Sequence, residues 1–152
     1  GRQNLSTPAA DVKGTLSFFP VSQTLTFDPK TNYTAGIVIH SGTRQVIGAD
    51  VLIHFDPKMV VIDPKVSAGT VFEQSPISKV DNTAGTITLG FLNFQPRVAD
   101  GILATFKYKV KGVGNARFWF DYDPGSKTDS NIVDKNQEDI LANIDNAFYT
   151  FK

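Results

Sequence analysis

The chain has 152 residues, with 15 Lys+Arg against 15 Asp+Glu and no cysteine. Balanced charge argues against a protein that holds nucleic acid or an anionic membrane through a strong positive field, and the absent cysteines exclude disulfides, thiolate metal sites and a cysteine nucleophile. No apolar run approaches the ~18 residues of a membrane span, and the length suits one domain that buries about 70% of its unfolded surface without a staple.

Residues 1–13 are polar and unpatterned and read as a disordered lead-in, a processing remnant or an expression scar, ahead of a domain over 14–152. From Gly14 onward, short alternating apolar runs are separated by turn signals, the mark of an all-β sandwich or barrel. The expected strands are Thr15–Phe19, Gln23–Phe27, Tyr33–His40, Gly48–Phe55, Val60–Asp63, Ser78–Asp81, Thr86–Leu92, Gly101–Val110, Ala116–Tyr122 and Asp145–Phe151. Thirteen Asp against two Glu, with 12 Gly and 8 Pro, fit a turn-rich β protein. Asp-Pro steps at 28–29, 56–57, 63–64 and 123–124 supply the first two positions of type I turns. The only helical candidate is a short turn over Gln137–Asn143.

Alternation assigns faces. In Gly48–Phe55, Ala49, Val51, Ile53 and Phe55 form an inward row, leaving Gly48, Asp50, Leu52 and His54 outside. In Gly101–Val110, Ile102, Ala104, Phe106, Tyr108 and Val110 point inward. In Ala116–Tyr122, Ala116, Phe118, Phe120 and Tyr122 point inward, leaving Arg117, Trp119 and Asp121 outside.

Little of this suggests catalysis or a cofactor. His40 and His54 sit at strand ends in no metal-ligand spacing and read as surface histidines. No nucleophile elbow or phosphate loop occurs, and no pair of the many Asp stands out as a glycosidase dyad. The expectation is no enzyme, no cofactor and no metal. The acidic loop Asp121–Asp129 fails the EF-hand pattern, with Gly125, Ser126 and Ile132 at its fifth, sixth and twelfth positions. It reads as a solvated turn, with a non-standard calcium site as the alternative. Trp119 reads as covered by neighbouring chain, with a sugar or protein contact as the alternative. Asn4 and Asn32 lie in weak N-x-S/T acceptor patterns.

The run 46–72 (VIGADVLIHFDPKMVVIDPKVSAGTVF) resembles the centre of a cohesin domain: an aromatic-Asp-Pro turn at Phe55–Pro57, a hydrophobic segment at Val60–Ile62, then a Val-x-x-Gly step from Val66 to Gly69. The block 85–112 is similar to the cohesin strand pair entered through Asp-Gly, here Asp100-Gly101 before ILATFKYKVKG. The resemblance spans roughly 15–151. It implies a nine-stranded antiparallel jelly-roll sandwich, extracellular or on the cell surface, that binds a dockerin-like protein and has no catalytic function. It also implies contact residues. Asp50 matches the Asp of the family's Asn-x-Asp pair, with Gly48 at the Asn position, and Asn93 matches a polar contact at the end of the 86–92 strand. Leu52 and His54 join them by alternation. The alternatives are a jelly-roll carbohydrate-binding module, with a polysaccharide as ligand, and a purely structural repeat unit.

Overall fold

The computed structural model describes residues 13–126 and 128–152. The expected lead-in lies outside them apart from Lys13, as do Asn4 and Lys127. Among the described residues there are 11 strands and no helix.

The Asp-Pro turns form as their chemistry predicts. Asp28, Asp56 and Asp63 each accept, through Oδ1, the N–H two residues on, from Lys30, Lys58 and Lys65, all at 2.9 Å. The intervening Pro presets φ and offers no competing donor. Between β6 (Gln74–Asp81) and β7 (Thr86–Val110) the turn ends on Gly85 at φ +78°, where a Cβ would stand 2.2 Å from the Phe55 carbonyl oxygen.

Two long strands organise the molecule. β3 (Tyr33–Phe55) pairs antiparallel with β7 from Tyr33↔Tyr108 to His54↔Thr86. Each was expected as two separate strands. The register shifts between His40 and Gln45, and again between Val46 and Gly48, mark the corner where both continue from one layer into the other.

In the front layer, the second half of β3 lies beside the first half of β7, which is flanked by β6. Along the other edge of β3 stand β8 (Gly114–Phe120) and β9 (Asn131–Asp134), end to end. In the back layer, β1 (Gly14–Phe19) pairs with the first half of β3. The second half of β7 there carries β4 (Val60–Ile62) and β5 (Ser67–Ala68). The layers are joined at a seam. β10 (Leu141–Asp145) runs parallel to β1, and β11 (Ala147–Phe151) lies between β8 and a parallel β2 (Ser22–Leu25). The sandwich is therefore antiparallel except where its first and last strands run side by side.

The core is aromatic. Phe118 lies 5.1–5.2 Å, ring centre to ring centre, from Tyr108 and Phe106, and 5.9 Å from Tyr149. Phe18 of β1 stacks on Phe120 of β8 at 4.4 Å, tying back to front. The expected inward residues Val51, Ile53, Phe55, Phe106, Tyr108, Phe118 and Phe120 are all buried. Burial pushes the Tyr108 and Tyr149 hydroxyls up from their ordinary pKa, and the Tyr149 hydroxyl donates to the Pro20 carbonyl at 2.6 Å.

Two expectations are corrected. Ile102 is exposed and Leu103 buried, because Ile37 pairs with Ala104 and Val38 with Ile102, leaving Leu103 as an extra bulged residue that inverts the alternation before it. Residues 137–143 are not helical. Gln137 takes φ +65°, and Asp134 Oδ1 accepts the N–H groups of Asn136 and Glu138, closing a turn that sends Leu141–Asp145 out as strand. An Asp bonding local backbone N–H groups competes directly with helix.

Candidate functional site

The outward side of the front layer is a grid of short rows set by strand pairing. Asp50 of β3 stands opposite Gly90 of β7, which stands opposite Ile77 of β6; Leu52, Thr88 and Lys79 form the next row; His54, Thr86 and Asp81 the third. Asp50 is exposed, and Leu52 and His54 are half-buried. Alternation thus brings three of the four expected contact residues onto one open surface. Gly90 lets Ile77 lie across it, since a Cβ there would come within 3.1 Å of the Ile77 side chain.

At one end of the grid, His54 pairs in register with Trp119 of β8. The rings stack at 5.7 Å, and His54 Nε2 lies 3.1 Å from Asp121 Oδ2. The Arg117 guanidinium is 5.6 Å from the Trp119 ring centre. Trp119 is outside the core, as alternation requires, and is half-buried by these neighbours within its own layer. His40, at the corner, bonds Asp100 across the β3–β7 pair and takes no part in this surface.

Asn93 does not join the grid. It is 7% exposed and its amide is committed internally, Oδ1 accepting from Glu73 N at 3.0 Å and Nδ2 donating to the Val46 carbonyl at 3.2 Å. Glu73 in turn accepts the Phe94 N–H. Asn93 is a clamp at the corner of the sandwich. Three apolar side chains that the sequence reading passed over lie exposed along the same margin: Ile77, Leu92 and Phe94. Alternation carried the signal for two of them, since Leu92 and Phe94 share parity with the outward Thr86, Thr88 and Gly90.

The acidic loop walls the other side of Leu52. Between the end of β8 and the start of β9, the Asp121 N–H donates to the Leu52 carbonyl at 2.8 Å and the Ser130 N–H to the Asp121 carbonyl at 2.9 Å. The expected solvated turn holds only for its tip. Asp129, Ser130 and Asn131 are buried polar residues. Asp129 Oδ2 accepts the Asp123 N–H, while Asp129 Oδ1 and Asn131 Oδ1 are buried without a hydrogen-bond partner among the described residues. Asp50, Leu52, Ile77, Thr88, Thr128 and Asp129 line one hollow between loop and grid.

Among the described residues no three His, Asp or Glu side chains are grouped as metal ligands. What the surface presents is an open face with a carboxylate, a half-buried Leu, an apolar margin and mixed charges. An apolar centre rimmed by hydrogen-bonding groups is the chemistry of protein recognition.

Comparison with known proteins places the chain in a family. The family model for the cohesin domain matches residues 24–148. No curated protein sequence gives a significant match. Among solved structures, the chain is similar to a type III cohesin module from the cellulosomal ScaE cell-surface anchoring scaffoldin of Ruminococcus flavefaciens, with TM-score 0.75 and 17% identity over 99% of this chain and 93% of that one. The third ScaC cohesin of Acetivibrio cellulolyticus, solved in complex with the ScaB dockerin, gives 0.71 and 14% over 91% and 98%. A non-cellulosomal cohesin of the archaeon Archaeoglobus fulgidus gives 0.67 and 14% over 93% and 92%. At these identities the likeness to solved structures speaks for the fold.

Proposed function

The chain belongs to the cohesin family, and on that premise we propose that it is a non-catalytic protein-binding module whose partner is a dockerin-like domain, working outside the cell or at its surface. The observation that carries the reading is the family match over residues 24–148. The front-layer surface supports it. Asp50 supplies an exposed acceptor, Leu52 an apolar centre and His54 a polar neighbour on one open sheet face. Ile77 and Leu92 extend the apolar area beside them. Asn93 is left out of the contact set because its amide is used internally.

A carbohydrate-binding module would present aromatic rings open for stacking. Trp119 is engaged by His54 and Arg117, while Phe94 stands exposed at the margin, so the protein-binding reading rests on the family match. The test is a binding screen of the purified domain against a panel of dockerins and, in parallel, a glycan array. Saturable binding to a dockerin with no glycan retention supports the proposal. Glycan binding that is lost in Trp119→Ala, with no dockerin bound, would replace it.

A further inference from the structure

We infer that the hollow between the acidic loop and the front layer holds a hard divalent cation of the calcium class, with Asp129 and Asn131 as its side-chain ligands and Asp50 at its open side. The cluster of acidic residues would not by itself make a site. The independent observation is the pair of oxygens: Asp129 and Asn131 are 6% and 7% exposed, and the Oδ1 of each has no partner among the described residues. Buried acceptors normally find a donor or an ion.

The local wiring keeps these two oxygens available. Asp129 uses its other carboxylate oxygen on the Asp123 N–H. The Asn131 amide nitrogen faces the Asp129 carbonyl at 3.4 Å, which turns its oxygen away from that backbone. Ser130, between them, is committed to the Leu52 backbone. Asp50 stands directly opposite Asn131 in the β3–β9 pairing and lines the same hollow as Asp129.

The donor set selects the ion. Carboxylate and amide oxygens are hard ligands, and Ca²⁺ takes them together with backbone carbonyls and waters in irregular geometry. Zinc would call for nitrogen or sulfur ligands. A cation here would fix the loop that walls Leu52. It would be the domain's own ion, independent of any partner.

The competing occupant is water, donating to each oxygen, and calorimetry separates the two. The isolated domain, stripped with chelator, is titrated with CaCl₂ up to about 10 mM, above the 10⁻⁴–10⁻³ M dissociation constants usual for extracellular calcium modules. The expected result is one-site binding with a saturable rise in Tm. Asn131→Asp adds a ligand charge without changing shape and should tighten binding about tenfold. Asp129→Asn keeps an acceptor for Asp123 and should weaken it about tenfold or more. No heat and no Tm shift in the parent and in Asn131→Asp would overturn the inference in favour of water. So would binding left unchanged by both substitutions, which would put the ion elsewhere. Because no partner is present, neither outcome bears on dockerin recognition.

Discussion

The Ser130 hydroxyl bonds both backbone groups of Leu52, accepting from its N–H at 2.9 Å and donating to its carbonyl at 3.1 Å. Leu52 lies where β8 has ended its pairing with β3 and β9 has not begun. A side chain thus takes the place of a missing neighbouring strand, and the outward Leu52 is held as if in the middle of a sheet. Ser130→Ala leaves the Leu52 N–H without its partner, while the Asp121 N–H still serves the carbonyl. The expected loss is about 1–2 kcal/mol of stability, read by urea denaturation, with faster amide exchange at Leu52. Unchanged exchange there would contradict the role given to Ser130.

Phe118 touches rings from both layers, including Phe106, Tyr108 and Tyr149. Phe118→Ala should cost about 3–5 kcal/mol, seen as a lowered denaturation midpoint. A cost under about 1 kcal/mol would mean that the site collapses around the smaller side chain.

Asp134 sets the acid limit of the β9 turn. Burial alone would raise its pKa, but the N–H groups of Glu138 and Asn136 and the Arg44 guanidinium at 2.9 Å together outweigh it and hold the carboxyl below its ordinary value. A depressed folded-state pKa stabilises above the unfolded value, about 3.9, and that stabilisation is lost as pH falls through the folded-state value. Parent and Asp134→Asn should therefore differ most at neutral pH, by about 1.5–3 kcal/mol, and converge in acid. A gap that widens as pH falls below about 4 would contradict this sign.

Asn93→Ala should behave as a fold mutation. It removes the acceptor for Glu73 N and the donor to the Val46 carbonyl, at about 1–3 kcal/mol. Partner affinity measured well below the melting transition should change little. Strong loss of affinity with no loss of stability would return Asn93 to the contact set.

Much of the fold was legible because alternation is a local property. The inward rows of 49–55 and 116–120 follow from it directly. It failed at Ile102, where the bulge at Leu103 inverts the count and nothing in the sequence announces it. Nothing within 137–143 rules out a helical turn; the deciding residue is Asp134 upstream, whose side chain closes the turn. Asn93 teaches the converse. Resemblance assigned it to the surface, yet simple parity with the buried Ile87, Leu89 and Phe91 already put it inside. The buried oxygens of Asp129 and Asn131 were not legible, because they depend on how the loop lies against β3, a long-range contact.

The most direct test of the front-layer surface is titration calorimetry of a bound dockerin against three single variants. Asp50→Ala and Leu52→Ala remove the exposed acceptor and the apolar centre, whereas Ile102→Ala trims an exposed back-layer side chain. The account predicts that each front-layer variant loses more than about 1 kcal/mol of binding with its Tm kept, while Ile102→Ala binds like the parent. Full affinity in both front-layer variants, with loss in Ile102→Ala, would contradict it and move the partner to the back of the sandwich.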